Sequence, residues 1–585
     1  MNVISRPRHD VEDIAVSWLK SFSEAVQSAD AAGAAHHFAR EGHWRDVLVF
    51  TWRIGTETGA AAIQAALSPT LSRTKARDFH IPAERSQPRR VKRAGVDCIE
   101  AIFAFETAFG HANGVVRLIE EDGEWRIWTL LTTLEELHGY PDGRPKAVSD
   151  AEKYSRDFGG ENWLDQRRKA LAYADHDPAV LIVGGGQAGL SAAARLNHLG
   201  VDTLIIDRNQ RIGDNWRLRY HSLTLHNEVH VNHLPLMPFP PTWPVFIPKD
   251  KLANWFETYV ESLELNFWTG TELAGGRYDD KAKCWTVTLR RSDGSERIMK
   301  PRHIIVATGV SGIPIWPKIP GLDSFKGAVM HSGQYTSGAE WKGRKAMVIG
   351  TGNSGHDVAQ DLCASGVDTT IVQRSPTYIV SIREAQKVYA TYSEGLPFED
   401  CDLLACSLPY PVLRRAYQLS TAEMREVDRY LLNGLEKRGF KLTFGEDDTG
   451  FQMMYLRRGG GYYFNVGCSD MIVDGRVSLL QYDKIDRFEP NGVVLEDGSN
   501  KPLDLVVVAT GYESQQEFVR ATLGNDVADR IGPVWGFDDG GELRNMWGPT
   551  KQDGLWFTAG SLAQCRIYSR YLALQIKARE DGLIE

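Results

Sequence analysis

The chain has 585 residues, 42% of them hydrophobic and 24% charged, and its formal net charge is -9. Its length exceeds what one core supports, so we expect about two to four domains, and the negative charge argues against a nucleic-acid surface. The N-terminus has no apolar signal core, and no run approaches the roughly 18 apolar residues that a membrane span requires. These features predict a cytoplasmic protein that binds neither nucleic acid nor membrane.

The first 145 residues have a pattern of their own. A stretch with helical periodicity, "VEDIAVSWLKSFSEAVQ", precedes alternating stretches such as "CIEAIFAFETAF", with "NG" and "DG" turn signals between strands. This order predicts an α+β domain with a curved antiparallel sheet. The pattern over 1–145 resembles the cone-shaped SnoaL-like, or nuclear-transport-factor-like, fold. The segment 146–177, rich in Gly, Pro and charge, is predicted to be a linker.

Several polar residues of this first domain could act in acid–base chemistry or as ligands. They are His36, His37, His43 and Asp46. They stand among tryptophans and lack the spacing of metal ligands, so a structural role is favoured. We expect the domain to pack against the rest of the chain or another subunit while catalysis stays in 178–585. The alternative is that it closes over the substrate entrance and tunes selectivity. No metal site is predicted.

A glycine-rich turn follows the apolar run "AVLIV". The G-x-G-x-x-G pattern leads into an Ala-rich helical stretch and then the apolar run "TLII". In such a βαβ unit the backbone approaches a pyrophosphate at the positive end of the helix. Asp207 ends the second strand about 20 residues after Gly186, where a carboxylate binds the adenosine ribose. The residues predicted to bind this nucleotide are Gly184, Gly186, Gln187, Ala188, Gly189, Asp207 and Arg208.

The same device recurs further along the chain. "KAMVI", the turn "GTGNSG" and a helical stretch form a second such unit. Where the first unit has Asp207, the second has neutral Gln373, followed by Arg374. A carboxylate would repel a 2′-phosphate, so its removal leaves Arg374 free to bind one, and NADPH is favoured over NADH. The residues predicted to bind this second nucleotide are Gly350, Gly352, Asn353, Ser354, Gly355, Arg374 and Ser375.

Further motifs resemble those of the flavin-containing monooxygenases, including their YUCCA-type branch. "GDNW" at 213–216 stands for the family's G-G-x-W, and "LTLH...LPLMPFP" is similar to its L-x-L-H...L-P-x-x-F-P. "FKGAVMHSGQY" spells the fingerprint F-x-G-x-x-x-H-x-x-x-Y at 325–335, and "ATGY" stands at 509–512. The resemblance covers 178–585. Together with the added N-terminal domain, the chain resembles the type II monooxygenases.

The resemblance implies an α/β architecture with two Rossmann-like dinucleotide-binding domains. An FAD-binding domain, 178–335 and 501–585, would be interrupted by an NADPH-binding domain with a helical subregion, 336–500. The strands before the two "ATG" turns would cross between these domains, and the final helix would point its positive end at the flavin. Further residues expected at the cofactors are Asn215, Trp216, Thr308, Gly309, Thr510 and Gly511.

The resemblance also implies a reaction. NADPH would reduce FAD, and one atom of dioxygen would reach a small organic substrate through a flavin hydroperoxide. Many members place an Asn near the flavin, and His226 and Asn227 in "LHNEV" are the candidates here; the choice between them stays open. N- or S-oxygenation, Baeyer-Villiger insertion and oxidative decarboxylation use the same chemistry, so the substrate also stays open. A homodimer is expected.

Two other functions have to be weighed. A pyridine-nucleotide-dependent flavin oxidoreductase or disulfide reductase would insert no oxygen, and Cys401 and Cys406 have the C-x-x-x-x-C spacing of disulfide reductases. There the pair follows the first nucleotide fingerprint, whereas here it follows the second, so we interpret it as two unrelated thiols in a polar loop. A non-enzymatic redox-sensing scaffold would not need two complete nucleotide sites. The fingerprint at 325–335 favours the monooxygenase.

Overall fold

The structure is a computed structural model that describes residues 8–140 and 158–584. Residues 146–157 of the predicted linker lie outside the described residues. The described elements form an N-terminal unit, residues 8–140, and two units built on parallel sheets. The chain segment of the second parallel unit contains a helical subregion, residues 382–458.

The N-terminal unit packs helices on one mixed sheet. Its elements are α1 (Arg8–Gln27), α2 (Ala31–His36), β1 (Phe38–Val47), β2 (Ile54–Thr58), α3 (Ala60–Leu67), α4 (Leu71–Thr74), β3 (Arg77–His80), β4 (Arg89–Arg93), β5 (Val96–Glu106), β6 (His111–Glu121) and β7 (Glu124–Leu134). The strand order is β2-β1-β7-β6-β5-β3, with β4 on β5. The prediction of an antiparallel sheet is wrong for one pair, because β1 runs parallel to β7. Alternation specifies the face of each side chain, not the direction of the neighbouring strand.

The chain then forms the main part of the first parallel unit. Its elements are α5 (Trp163–Ala172), β8 (Val180–Val183), α6 (Gln187–His198), β9 (Thr203–Ile206), α7 (Asp214–Arg217), β10 (Thr224–Glu228), β11 (Phe246–Pro248), α8 (Lys249–Ser262), β12 (Asn266–Trp268), β13 (Thr271–Asp279), β14 (Cys284–Arg291), β15 (Glu296–Met299) and β16 (His303–Val306). Helix α5 lies inside the segment predicted to be a linker. A capping box formed by Asn162 and Asp165 stabilises its N-terminus. The helix is held to this unit, since Trp268 Nε1 donates to the carbonyl of Leu171.

The second parallel unit follows, with the helical subregion inside it. Its elements are β17 (Ala328–His331), β18 (Lys345–Ile349), α9 (Asn353–Ala364), β19 (Asp368–Gln373), β20 (Tyr378–Ser381), α10 (Ile382–Ala385), α11 (Phe398–Cys406), α12 (Tyr410–Val427), α13 (Arg429–Lys437), α14 (Gly450–Arg458), β21 (Tyr462–Asn465), α15 (Cys468–Asp474), β22 (Ser478–Gln481), β23 (Ile485–Glu489), β24 (Gly492–Leu495), β25 (Asn500–Pro502) and β26 (Leu505–Val508). The predicted polar loop around Cys401 and Cys406 is wrong, because both are buried free thiols of α11. Leu403 and Leu404 anchor this helix in the core.

The chain returns to the first unit with α16 (Gln515–Leu523), α17 (Asn525–Ile531), β27 (Leu555–Phe557) and α18 (Leu562–Glu580). The first parallel sheet has the order β12-β9-β8-β16-β27, and the second β17-β26-β18-β19-β22. The inner strands β8, β9 and β16 are buried at every residue, which explains their continuous apolar sequences. Strands β17 and β26 lie outside the range 336–500 predicted for the inserted domain, because the crossings between the sheets precede β17 and follow β26.

The N-terminal unit packs against the rest of the chain through arginine–carboxylate pairs. Arg45 pairs with Glu542 at 2.6 Å, and Arg85 pairs with Asp400 at 2.6 Å. Among the described residues, no helix is both long enough and apolar enough to cross a membrane.

Candidate active site

In the first glycine turn, only the middle glycine of the G-x-G-x-x-G pattern has no backbone atom close to a built Cβ. Gly184 has φ +112°, and a Cβ there would lie 2.5 Å from the carbonyl oxygen of Ala307. A Cβ on Gly189 would lie 2.0 Å from the carbonyl oxygen of Gly184. A Cβ on Gly186 would meet only the side chain of Asn215, at 3.0 Å. The outer glycines are therefore needed for packing, whereas the middle one faces space at the start of α6 that fits a pyrophosphate.

The second glycine turn repeats this geometry. Gly350 has φ +123°, with the carbonyl oxygen of Ala509 at 2.3 Å from a built Cβ, and Gly355 would contact Gly350 at 2.0 Å. A Cβ on Gly352 would meet nothing closer than a carbonyl oxygen at 3.8 Å. Asn353 and Ser354 begin α9 at this turn, and Asn353 Oδ1 accepts a hydrogen bond from the backbone of β21 at 2.9 Å. The two turns thus have the same shape.

The residues that end the second strand of each unit differ in their contacts. Asp207 Oδ2 accepts from the backbone N–H of Gly185 at 2.7 Å, and the carboxylate remains partly exposed toward the first turn. Gln373 is fully buried; its Nε2 donates to the carbonyl of Lys441 and its Oε1 accepts from the N–H of Lys441, each at 2.8 Å. Gln373 thus has a packing role, so a preference for a 2′-phosphate would have to come from Arg374 and Ser375, as predicted. Both are exposed at the end of β19, as Arg208 is after β9.

Changing Arg374 to Ala should raise the dissociation constant for NADPH by about tenfold or more while that for NADH changes little. Only NADPH carries a 2′-phosphate, and a charge-assisted hydrogen bond to it contributes about 1.5–3 kcal/mol. Titration of the FAD-loaded protein with each nucleotide measures this difference, with Arg429→Ala on the exposed end of α13 as the control. Equal losses for NADPH and NADH would show that Arg374 does not contact the phosphate.

A cavity of about 1170 Å³ extends from the first turn to the second. Among the predicted residues, its lining includes Gln187, Trp216, His226, Asn227 and Asn353. Trp216 Nε1 donates to Gln187 Oε1, and Gln187 Nε2 donates to the carbonyl of Gly560, each at 3.2 Å. Ser561, the N-cap of α18, also lines the cavity, so the positive end of this helix is directed at the cavity.

The predicted residues of the two crossings lie beside the cavity and do not line it. Gly309 and Gly511 have φ +70° and +90°, and Thr308 and Thr510 precede them. Thr510 Oγ1 donates to the carbonyl of Ile315 at 2.7 Å. These four residues connect the parallel units, whereas the neighbouring Val310 contributes to the lining.

His226 and Asn227 are adjacent on β10 and contact different parts of the molecule. The ring of His226 packs on Phe464 of the second parallel unit with centroids 5.2 Å apart. Burial lowers the pKa of His226, which favours the neutral imidazole. Asn227 Nδ2 donates to the hydroxyl of Tyr389 in the helical subregion at 3.0 Å. Successive side chains of a strand point to opposite faces, which explains why the side chains of His226 and Asn227 contact different parts of the molecule.

Tyr389 is a lining residue that sequence reasoning missed. It lies in the 3-10 segment Gln386–Ser393, at a kink with φ -101° and ψ 17°. Burial raises its pKa to about 12, so the hydroxyl keeps its proton while it accepts the bond from Asn227. No motif marks this position. One face of α14, with Gln452, Tyr455 and Leu456, completes this side of the cavity.

The N-terminal unit also lines the cavity, which therefore extends beyond 178–585. Its contributing residues include Arg45, Arg53, Arg93 and Arg117. Two of the candidate residues, His43 and Asp46, have structural partners within this unit. His43 Nδ1 lies 2.9 Å from Thr58 Oγ1, and buried Asp46 accepts from Thr132 Oγ1 at 2.7 Å. Within the described residues, no group of His, Cys, Asp or Glu could hold a metal ion.

Comparisons with known proteins are consistent with this geometry. A family model described as "Pyridine nucleotide-disulphide oxidoreductase" matches residues 181–389. The chain is 30% identical over 341 residues to "Indole-3-pyruvate monooxygenase YUCCA1" of Oryza sativa subsp. japonica, across 58% of this chain and 77% of that protein. It is 28% identical to "Probable indole-3-pyruvate monooxygenase YUCCA10" of Arabidopsis thaliana, across 58% of this chain and 82% of that protein.

The fold is similar to that of solved structures. A crystal structure of cyclohexanone monooxygenase with bound epsilon-caprolactone aligns with a TM-score of 0.52 and 19% sequence identity, covering 70% of this chain and 89% of that chain. At this identity the likeness concerns the fold alone.

Proposed function

This chain belongs to the flavin-containing monooxygenase family, and we propose that it transfers one atom of dioxygen to a small organic substrate by N- or S-oxygenation or Baeyer-Villiger insertion. It is an FAD- and NADPH-dependent oxidoreductase. The observation that supports this best is that both glycine turns contribute to one cavity, the first through Gln187 and the second through Asn353. When bound at the two turns, FAD and NADPH would supply the redox chemistry, namely hydride transfer and the activation of dioxygen.

The chain's own residues bind and orient the two nucleotides. We propose that the N–H groups at the start of α6 hold the FAD pyrophosphate while Asp207 accepts from the ribose. The bonded pair of Gln187 and Trp216 would position the flavin ring beside the N-terminus of α18. The N–H groups at the start of α9 hold the second pyrophosphate, with Arg374 at the 2′-phosphate.

His226 and Asn227 receive different roles in this proposal. His226 packs on β21 near the second turn, which supports a neutral hydrogen-bonding group beside the nicotinamide. Asn227 donates to Tyr389, which supports a pair that orients the substrate over the flavin. The helical subregion and the arginines of the N-terminal unit would exclude water from this space.

The purified protein should be yellow, and NADPH should bleach it without substrate under anaerobic conditions. Hydride transfer needs only the two nucleotides in place. The absorbance of oxidised flavin, followed during anaerobic titration with NADPH, measures this, with buffer alone as the control. A colourless protein that cannot be reconstituted with FAD would falsify the proposal.

A second candidate is a pyridine-nucleotide-dependent flavin oxidoreductase without oxygen insertion. The family model that matches 181–389 supports it, although all seven cysteines are free thiols. Labelled dioxygen and panels of amines, sulfides, ketones and 2-oxo acids separate the two candidates. A product that carries the label supports the monooxygenase, whereas hydrogen peroxide as the sole oxygen product supports the oxidoreductase.

We propose that the N-terminal unit is a SnoaL-like domain with a structural role. Its interior is filled by stacked rings, including Phe79 on Phe105 at 4.7 Å between centroids, which supports packing over catalysis. A homodimer and a cytoplasmic location remain predictions.

A further inference from the structure

Three arginines of the N-terminal unit surround one buried carboxylate. Glu100 on β5 accepts from Arg89 at 2.7 Å, from Arg93 at 2.8 Å and from Arg117 at 2.8 Å. These contacts outweigh the effect of burial and lower the pKa of Glu100 to about 2. Three cations around a single anion leave positive charge that needs a further partner.

Glu394 of the helical subregion supplies that partner. Its Oε1 lies 2.7 Å from Arg93 Nη1, and its Oε2 lies 2.7 Å from Arg89 Nη2. Its side chain is 26% exposed, so the pairs are partly shielded from solvent. A second carboxylate, Asp400 at the start of α11, is fully buried and accepts from Arg85 and from the N–H of Ser86.

Glu394 directly follows the segment that covers the cavity. Residues 387–392 all line it, and Tyr389 among them holds Asn227. No residue of Gln386–Ser393 is fully buried. Partly buried side chains limit the hydrophobic contribution of this segment, so its polar contacts contribute to how firmly it is held.

We propose that Glu394 is a positioning residue through which the N-terminal unit holds Tyr389 over the cavity. The contacts run from Arg89 and Arg93 to Glu394, then along 386–393 to Tyr389 and Asn227. When Glu394 is released, the segment opens more often and water reaches the space above the flavin. This inference rests on the proposed function, since it concerns access to the same cavity.

The test uses the FAD-loaded full chain with Glu394→Gln, which keeps the shape and removes the charge. Hydrogen exchange of residues 386–393 should become about fivefold faster, because neutral hydrogen bonds are weaker than charge-assisted ones. NADPH oxidation without substrate, followed as hydrogen peroxide release, should rise by a similar factor. Glu426→Gln, which breaks an exposed pair with Arg429 in the same helical subregion, should change neither.

A double variant separates positioning from general stabilisation. Tyr389→Phe removes the bond to Asn227, and adding Glu394→Gln to it should accelerate peroxide release by much less than fivefold, because the contact to be held is already gone. Full additivity of the two changes would overturn the inference, as would unchanged exchange and peroxide release in Glu394→Gln. Loss of FAD from Glu394→Gln would also overturn it. A wild-type protein that binds no FAD would instead count against the proposed function.

Discussion

Gly186→Val should be purified folded but colourless, with affinity for FAD reduced by at least about 100-fold. Gly186 has φ -81° and ψ -173°, an extended conformation that a β-branched residue adopts readily. The methyl groups would occupy the space at the start of α6 where the pyrophosphate meets the backbone. Losing one or two charge-assisted bonds of about 1.5–3 kcal/mol each accounts for that factor. The flavin-to-protein absorbance ratio and reconstitution with FAD measure the loss.

The control must be a glycine whose backbone conformation also accepts a valine and whose built Cβ also meets no backbone atom. Gly55 on β2 has nothing within 4 Å of a built Cβ and no positive φ, so Gly55→Val should retain FAD. Gly189→Val is unsuitable, because its Cβ would lie 2.0 Å from the carbonyl oxygen of Gly184 and the fold itself would suffer. Normal flavin content in a folded Gly186→Val protein would place FAD elsewhere.

The two parallel units follow from the sequence because their signals are local. A buried strand, a glycine turn and a helix lie within about 30 residues of each other. At Gly184 and Gly350 only a residue without Cβ fits the approach to Ala307 and Ala509. In these units the short-range sequence pattern and the steric need for glycine point to the same positions. Both turns could therefore be located from the sequence.

The cavity wall could not be predicted in the same way. Tyr389 and Asn227 are far apart in sequence and meet through a hydrogen bond that no periodicity encodes. Arg45 stands between the titratable residues His43 and Asp46. Those two have partners within the N-terminal unit, whereas Arg45 pairs with Glu542 near the other end of the chain. Contacts between units depend on how the units dock, and a single sequence carries no local signal for that.

Gln373 illustrates a different limit. Its neutral side chain is consistent with a 2′-phosphate site, but both ends of its amide bond the backbone of Lys441. A carboxylate there could not donate to that carbonyl. One residue type thus satisfies two requirements, and the sequence alone does not separate them.

Arg45→Met should lower the free energy of unfolding of the N-terminal unit by about 3–5 kcal/mol, because it leaves a largely buried carboxylate without its cation. The Arg45 side chain is 7% exposed and that of Glu542 14%, and the guanidinium binds both carboxylate oxygens, at 2.8 and 2.6 Å. It also donates to the carbonyl of Cys406. Native-state hydrogen exchange of β1 and β2 measures the change.

Two further variants show whether burial is the cause. Arg487→Met removes a side chain that is 50% exposed in its pairs with Asp486 and Glu489, and exposed pairs contribute at most about 1 kcal/mol. Adding Glu542→Gln to Arg45→Met neutralises the orphaned carboxylate, so the double variant should recover part of the lost stability. If Arg45→Met costs no more than Arg487→Met, the pair does not join the N-terminal unit to the first parallel unit, and the cavity wall formed by that unit would need another anchor.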